Sequence, residues 1–283
     1  MATFYNQATL TYNNTIINSN ITTGELEEVL SITKTAVLDT YTQGDEITYV
    51  INIRNTGTLP YNDLTITDDL GTYTSGTLTL TPLTYAAGSA TYFVNGVLQP
   101  APAVTAGPPL TVSGINVPAG GVATVLYAAQ LNQFAPLGVG DTVTNTAALS
   151  GSGITPISAT ETITAAEEAD LTITKSLNPT VVTENGQITY TFVIQNTGNT
   201  AVIATDNATV TDTFDPVLSN IAVTFNGVSW ATPTNYTYNT VTGQFATNAG
   251  QITVPAATYT QDPTTGATII QPGVSILTVT GTV

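Results

Sequence analysis

The sequence predicts an all-β protein of two tandem β-sandwich domains, preceded by a strand that belongs to neither. Three observations carry that expectation. Apolar and polar residues alternate over runs of five to eight residues. The runs recur as an internal repeat. The second copy of the repeat stops one strand early, while the first residues of the chain resemble the strand it lacks.

The alternation is the pattern of half-buried strands, in which residues two apart share a face. Ile47, Tyr49, Ile51 and Ile53 form one such face, and Ile188, Tyr190, Phe192 and Ile194 another. Each run ends in Asn-Thr-Gly, a turn signal. No segment has helical periodicity. About seven short strands per repeat, separated by turns, argue immunoglobulin-like Greek-key sandwiches. The abundance of threonine, β-branched and stiff, favours strands as well.

The repeat is explicit. Leu30-Ser-Ile-Thr-Lys34 recurs as Leu171-Thr-Ile-Thr-Lys175, and Ile47-Thr-Tyr-Val-Ile-Asn-Ile-Arg-Asn-Thr-Gly57 as Ile188-Thr-Tyr-Thr-Phe-Val-Ile-Gln-Asn-Thr-Gly198, both 141 residues on. Leu64-Thr-Ile-Thr-Asp68 matches Ala208-Thr-Val-Thr-Asp212, now 144 residues on because a loop has grown. Val117-Pro-Ala119 matches Val254-Pro-Ala256, and Gly121-Val-Ala-Thr-Val-Leu126 matches Gly273-Val-Ser-Ile-Leu-Thr278. Repeats at such a period are one structural unit used twice.

The ends of the repeats differ. The first finishes with Val143-Thr-Asn-Thr-Ala-Ala-Leu149, whereas the second stops at Gly273-Val-Ser-Ile-Leu-Thr-Val-Thr-Gly-Thr-Val283, its penultimate strand. Phe4-Tyr-Asn-Gln-Ala-Thr-Leu10 resembles Val143 to Leu149, with Asn6 on Asn145, Ala8 on Ala147 and Leu10 on Leu149. The acidic Glu27-Glu28 that follows mirrors Glu167-Glu168. The expected division is a donor strand at 1–12, a linker at 13–29, domain 1 at 30–150, a linker at 151–170, and domain 2 at 171–283 without its last strand.

A sandwich short of a strand exposes core side chains and an unpaired ladder, which invites strand addition. Phe4, Asn6, Ala8, Leu10 and Tyr12 are the residues expected to fill the gap. The linker at 13–29 spans at most about 60 Å and would have to pass all of domain 1, so the acceptor is expected to be another copy. Such a head-to-tail contact does not close and yields a filament. With linkers of similar length at every junction, the filament is expected to look like an unbroken row of beads.

Composition narrows the function. Charged residues are only 8%, with 19 acids against three bases, Lys34, Arg54 and Lys175. Nucleic acid and anionic membrane both need a basic surface. Histidine and cysteine are absent, which removes the common nucleophile–base pairs, disulfides and most zinc sites. No cofactor, metal or enzymatic turnover is expected. Asp39, Asp45 and Glu46 carry oxygen ligands suited to calcium, but without the spacing of a cation loop. The first residues have no basic start and no apolar stretch, so no signal peptide is read there. No apolar run is long enough to span a membrane.

Parity points to chemistry. Leu30, Ile32 and Lys34 share the inward face of their strand; so do Leu64, Ile66 and Asp68, and Asn145, Ala147 and Leu149. The second repeat places Lys175 and Asp212 alike, and its asparagine is Asn6 on the donor strand. Burial lowers a lysine pKa, and a neutral amine is a competent nucleophile. A neighbouring carboxylic acid could shuttle protons. The expectation is an isopeptide bond from Lys34 to Asn145, aided by Asp68, and one from Lys175 to Asn6 of the next chain, aided by Asp212. The plain alternative is a buried ion pair with asparagine as a hydrogen-bond partner.

Lys34-Thr-Ala36, the run from Gly44 to Gly57, Leu64 to Asp68 and Asn145-Thr-Ala147 resemble the bacterial surface-repeat family labelled domain of unknown function eleven. The second copy matches at Lys175 and from Ile188 to Gly198. The resemblance implies an immunoglobulin-like module of a surface or appendage protein. With two copies and no sorting motif, the chain looks like a pilin-like or spore-appendage subunit of a Gram-positive bacterium, outside the cell. The lysine–asparagine pairing resembles the cross-links of Gram-positive pilins. A different class of function is an adhesin or carbohydrate-binding module acting as a monomer, with Trp230, Tyr236, Tyr238 and Phe245 stacking on sugars.

Overall fold

The computed structural model describes residues 2–26, 28–151 and 154–283. It is all-β: two tandem immunoglobulin-like sandwiches follow an N-terminal arm, and the one helical element among the described residues is a single 3₁₀ turn at Ala204–Asp206.

In domain 1, one sheet runs β13 (Val97–Leu98), β12 (Thr91–Val94), β16 (Val122–Leu131), β7 (Glu46–Asn55), β5 (Leu30–Ala36), with β11 (Leu83–Tyr85) also on β16. The facing sheet runs β14 (Ala103–Thr105), β15 (Leu110–Val117), β8 (Tyr61–Asp68), β17 (Thr142–Ser150), β18 (Ile157–Ala165), β6 (Thr40–Tyr41). A small hairpin, β9 (Tyr73–Ser75) with β10 (Leu78–Leu80), stands beside them. The period-two faces meet in the core: Ile47, Tyr49, Ile51 and Ile53 are fully buried against Leu64, Ile66, Leu110, Val125, Tyr127 and Leu149.

Domain 2 repeats the first sheet as β19 (Leu171–Asn178), β20 (Gln187–Asn196), β28 (Gly273–Thr282), β22 (Ser219–Phe225), β23 (Val228–Trp230), in that order. Its facing sheet has three short strands, β21 (Thr211–Thr213), β25 (Gln244–Thr247) and β24 (Tyr236–Tyr238). The Asn-Thr-Gly turns work alike in both domains. Buried Asn55 accepts from Gly57 N at 2.9 Å and donates to the Pro118 carbonyl at 3.0 Å. Asn196 does the same with Gly198 N at 2.9 Å and the Pro255 carbonyl at 3.1 Å.

Domain 2 also carries a hairpin of β26 (Thr258–Gln261) and β27 (Thr268–Gln271) that reaches back onto domain 1. Tyr259 and Ile270 pack on the domain 1 core. Gln261 donates to Tyr73 at 2.6 Å, and Thr268 to the carbonyls of Gln133 and Ala135 at 2.8 and 2.9 Å.

Two expectations need correction. The stretch 151–170 is not simply a linker: it holds β18 (Ile157–Ala165), paired with β17 from Ile157 to Thr164 and in parallel with β6. The stretch 13–29 is not simply a linker either. It holds β3 (Thr15–Asn18) and β4 (Thr22–Leu26), which fold back on β2 (Thr9–Tyr12) and β1 (Ala2–Asn6). The reversal is a two-residue turn with Asn13 and Asn14 both at positive φ, 46° and 59°, the geometry that matches the twist of a hairpin and that asparagine tolerates. The arm is therefore a hairpin, and its apolar side chains, Phe4, Leu10, Tyr12, Ile16 and Ile17 among them, are all exposed. Domain 2 in turn lacks counterparts of two strands, β17 and β18, rather than one, among the described residues.

Candidate functional site: two lysine–aspartate pairs, one closed and one open

In domain 1 the three residues singled out by parity come together. Lys34 projects inward from β5 and donates to Asp68 Oδ2, at the end of β8, at 2.7 Å. Lys34, Asp68 and Asn145 are buried, the latter two completely. Tyr127 on β16, which sequence reasoning missed, links them: its hydroxyl donates to Asp68 Oδ2 at 2.7 Å and accepts from Asn145 Nδ2 at 2.9 Å. Amine, carboxyl, phenol and amide thus form one hydrogen-bonded chain. Asp68 Oδ1 accepts from Leu70 N at 3.0 Å. The Asn145 carbonyl oxygen and the Tyr49 hydroxyl are buried without partners, which is uncommon in a packed interior.

Burial pushes the Lys34 pKa down, against the opposing pull of Asp68. Burial, reinforced by the Asp68 charge, pushes the Tyr127 phenol well up. The amine is drawn toward its neutral form while the phenol is held protonated. Asp69 takes no part in the buried set: its carboxylate caps the turn at Gly71 N and anchors Thr146 N of β17, both at 2.9 Å.

Domain 2 brings together two of its three residues. Lys175 and Asp212 are hydrogen-bonded, but the lysine side chain is 40% exposed. Its ammonium lies over Tyr190, Phe192 and Phe214, at 4.5, 5.5 and 5.4 Å from the ring centres. No tyrosine stands in Tyr127's place: opposite Tyr49 on β7 is Tyr127, and opposite Tyr190 on β20 is Val279. Asn6 is not with them. It sits in the exposed arm, paired with Thr22.

The difference has a visible cause. In domain 1, β18 lies against β5 and β17 pairs with β8. In domain 2, Leu171 and Ile173 of β19 are exposed where Leu30 and Ile32 are packed on a core. Val181 and Val182, at the places of Thr40 and Tyr41, form no strand, and Val181 is 85% exposed. The counterpart of β8 is cut to the three residues of β21. An edge that loses its neighbour loses the ladder that held it.

The other candidate sites are not assembled. Asp45 uses its carboxylate within a turn, on Thr42 N and Oγ1 at 2.7 and 2.9 Å, and no cluster of three metal-ligating side chains occurs among the described residues. The aromatic group is packing rather than a stacking platform. Phe245 and Tyr236 are core residues, Trp230 stacks on Phe225, and the Tyr238 hydroxyl bonds Leu218.

No family model and no curated protein matches the chain. Solved structures with a similar arrangement include the major pilin subunit of Bacillus cereus, 9% identical over 95% of this chain and 73% of that one, with a TM-score of 0.39. The pilus backbone of Streptococcus pneumoniae is 13% identical over 86% of this chain, with a TM-score of 0.36; this chain spans about half of it, 55%. The C-terminal fragment of the major pilin GBS80 of Streptococcus agalactiae is 12% identical over 87% of this chain and 91% of its own, with a TM-score of 0.36.

Proposed function

We propose that the chain is a structural subunit of an extracellular fibre, a pilus or spore appendage, in which the N-terminal segment of one copy completes domain 2 of the next. The observation that carries this is the matched pair of an open edge and a spare part. Domain 2 exposes Leu171 and Ile173 and opens Lys175, whose counterparts domain 1 covers with β17 and β18, and residues 4–10 copy β17 around Asn6, Ala8 and Leu10 while standing exposed. Seating Phe4, Leu10 and Tyr12 in an apolar groove is worth about 1.5–3 kcal/mol each, to which ladder hydrogen bonds add. Removing residues 1–12 is expected to leave soluble monomers by negative-stain microscopy. Fibres that persist without them would end the proposal.

The same geometry supports covalent closure of domain 1. The neutral Lys34 amine attacks Cγ of Asn145; the new C–N bond forms as the C–Nδ2 bond breaks. The proton shed by Lys34 passes to Asp68 and, through the Tyr127 hydroxyl, to the departing nitrogen, which leaves as ammonia. At the junction, Lys175, Asp212 and the incoming Asn6 are the corresponding set. The intact chain is expected to weigh one ammonia less than its sequence, and Lys34→Ala to restore the full mass. Fibres that boil in detergent to monomers would exclude the junction bond while leaving the donated segment in place.

A further inference from the structure

We infer that the unit passed between copies is the whole hairpin of residues 2–26, not a single strand, and that its second strand, β4, covers β19 of the acceptor. This rests on the proposal that the N-terminal segment is donated.

Domain 1 shows what a closed domain needs. β17 fills the gap beside β8, with Ala147 opposite Asp68 and Leu149 opposite Ile66. β18 does a separate job. It lies against β5 and pairs in parallel with β6, Thr164 opposite Thr40 and Ala165 opposite Tyr41. A single donated strand would mend only the first of these edges. It would leave Leu171, Ile173 and Val181 as exposed as they are in the free chain.

The arm is built to mend both. Its β1–β4 half is paired in the register of β17 and β18: Asn6 faces Thr22 as Asn145 faces Glu161, and Phe4 faces Gly24 as Val143 faces Ile163, each residue 139 positions before its counterpart. Nearer the turn the β2–β3 pairing is one residue off, with Leu10 facing Ile17 where the same offset would give Asn18. Val143 and Ile163 are core residues, 2% and 0% exposed. In the arm that pair is replaced by a large residue and the smallest one. The Phe4 ring lies over Gly24, 2.3 Å from where a β-carbon there would stand. Cross-strand partners share a face, so Gly24 makes room on the inward face for a ring that Ile163 would not admit. A lone two-stranded hairpin is marginal in water, and an exposed apolar one is a module awaiting a partner sheet.

The chain has no cysteine, so introduced thiols report cleanly. Full-length chains carrying one cysteine each are mixed in denaturant, refolded together, oxidised mildly and digested for mass spectrometry. A mixed disulfide then joins two molecules by construction. Leu10→Cys with Val210→Cys reads the first strand, as Leu149 stands opposite Ile66. Glu25→Cys with Val181→Cys reads the second, as Thr164 stands opposite Thr40. Both links are expected. The first without the second means that one strand alone is donated, which overturns the hairpin and spares the donation. Neither link overturns both, and the second without the first overturns the register inferred here. A further variant, Gly24→Leu, leaves the free arm able to swing Phe4 aside but overfills the seated site. It is expected to slow assembly roughly tenfold, the size of an ordinary overpacking penalty; unchanged assembly would count against a seated β4.

Discussion

Lys34 and Lys175 stand in nearly the same local sequence, Leu-Ser-Ile-Thr-Lys and Leu-Thr-Ile-Thr-Lys, yet one is 4% exposed and the other is open to solvent. Each is hydrogen-bonded to its aspartate. What separates them is the cover supplied by β17 and β18, more than a hundred residues further along in domain 1 and without a counterpart after Lys175 among the described residues. Burial of an ionisable group is thus a property of what closes the sheet, not of the strand that bears it. That makes it a quantity that assembly can change.

The largest effect is expected from making the two domains alike. Appending a second copy of residues 142–165 after Val283 on a flexible linker supplies domain 2 with its own cover, and fibres should vanish from micrographs. Lys175 should then become as resistant to amine-reactive reagents as Lys34.

Next in size is the removal of the carboxylates. Asp68→Ala strands a buried ammonium and should destabilise domain 1 by about 3–5 kcal/mol. Asp212→Ala should cost the free chain at most about 1 kcal/mol, since water screens its partner. Denaturant melts that resolve the two transitions read both. A smaller contrast lies in the matched leucines. Leu149→Ala empties part of a packed core, at about 2–5 kcal/mol. Leu10→Ala should shift the free chain by no more than about 0.5 kcal/mol while weakening fibres.

The smallest effect is a pH slope. In Asn145→Ala the Lys34 amine stays free. Its folded pKa lies below the ordinary 10.5, so between those two values the unfolded chain binds more protons and domain 1 gains stability as pH rises. The gain is complete above 10.5 and is lost as pH falls through the folded pKa. Burial raises the phenols of Tyr41, Tyr49 and Tyr127, which pull the other way as pH passes their ordinary 10. The melting temperature of domain 1 should therefore climb with pH and turn over near 10; a flat profile would mean that Lys34 is not titrating from a buried position.

The inward faces, the two lysine–aspartate pairs and the place of Asn145 were legible because the repeat wrote each of them twice. What lacked a second copy was missed. Tyr127 escaped notice because Val279 occupies the matching place, so nothing marked it as more than core. β18 reads as a linker in sequence because its inward positions include Ala159 and Glu161, and threonines flank them. Its strand character comes from pairing on both sides, to β17 and β6. β3 and β4 are hidden for a similar reason: Thr22, Thr23 and Gly24 have little apolar signature until Phe4 is set across from them.

The β26–β27 hairpin bears on how such a fibre bends. It grips domain 1 through Tyr259, Gln261 and Thr268, and it is inserted between Val254-Pro-Ala256 and β28. Domain 1 passes from Val117-Pro-Ala119 to β16 through a tight turn, with no hairpin inserted there. Joints within a subunit would be clamped and those between subunits would not. Flexure should then gather at every second joint, so that the filament articulates as a chain of rigid two-domain rods rather than as evenly jointed beads.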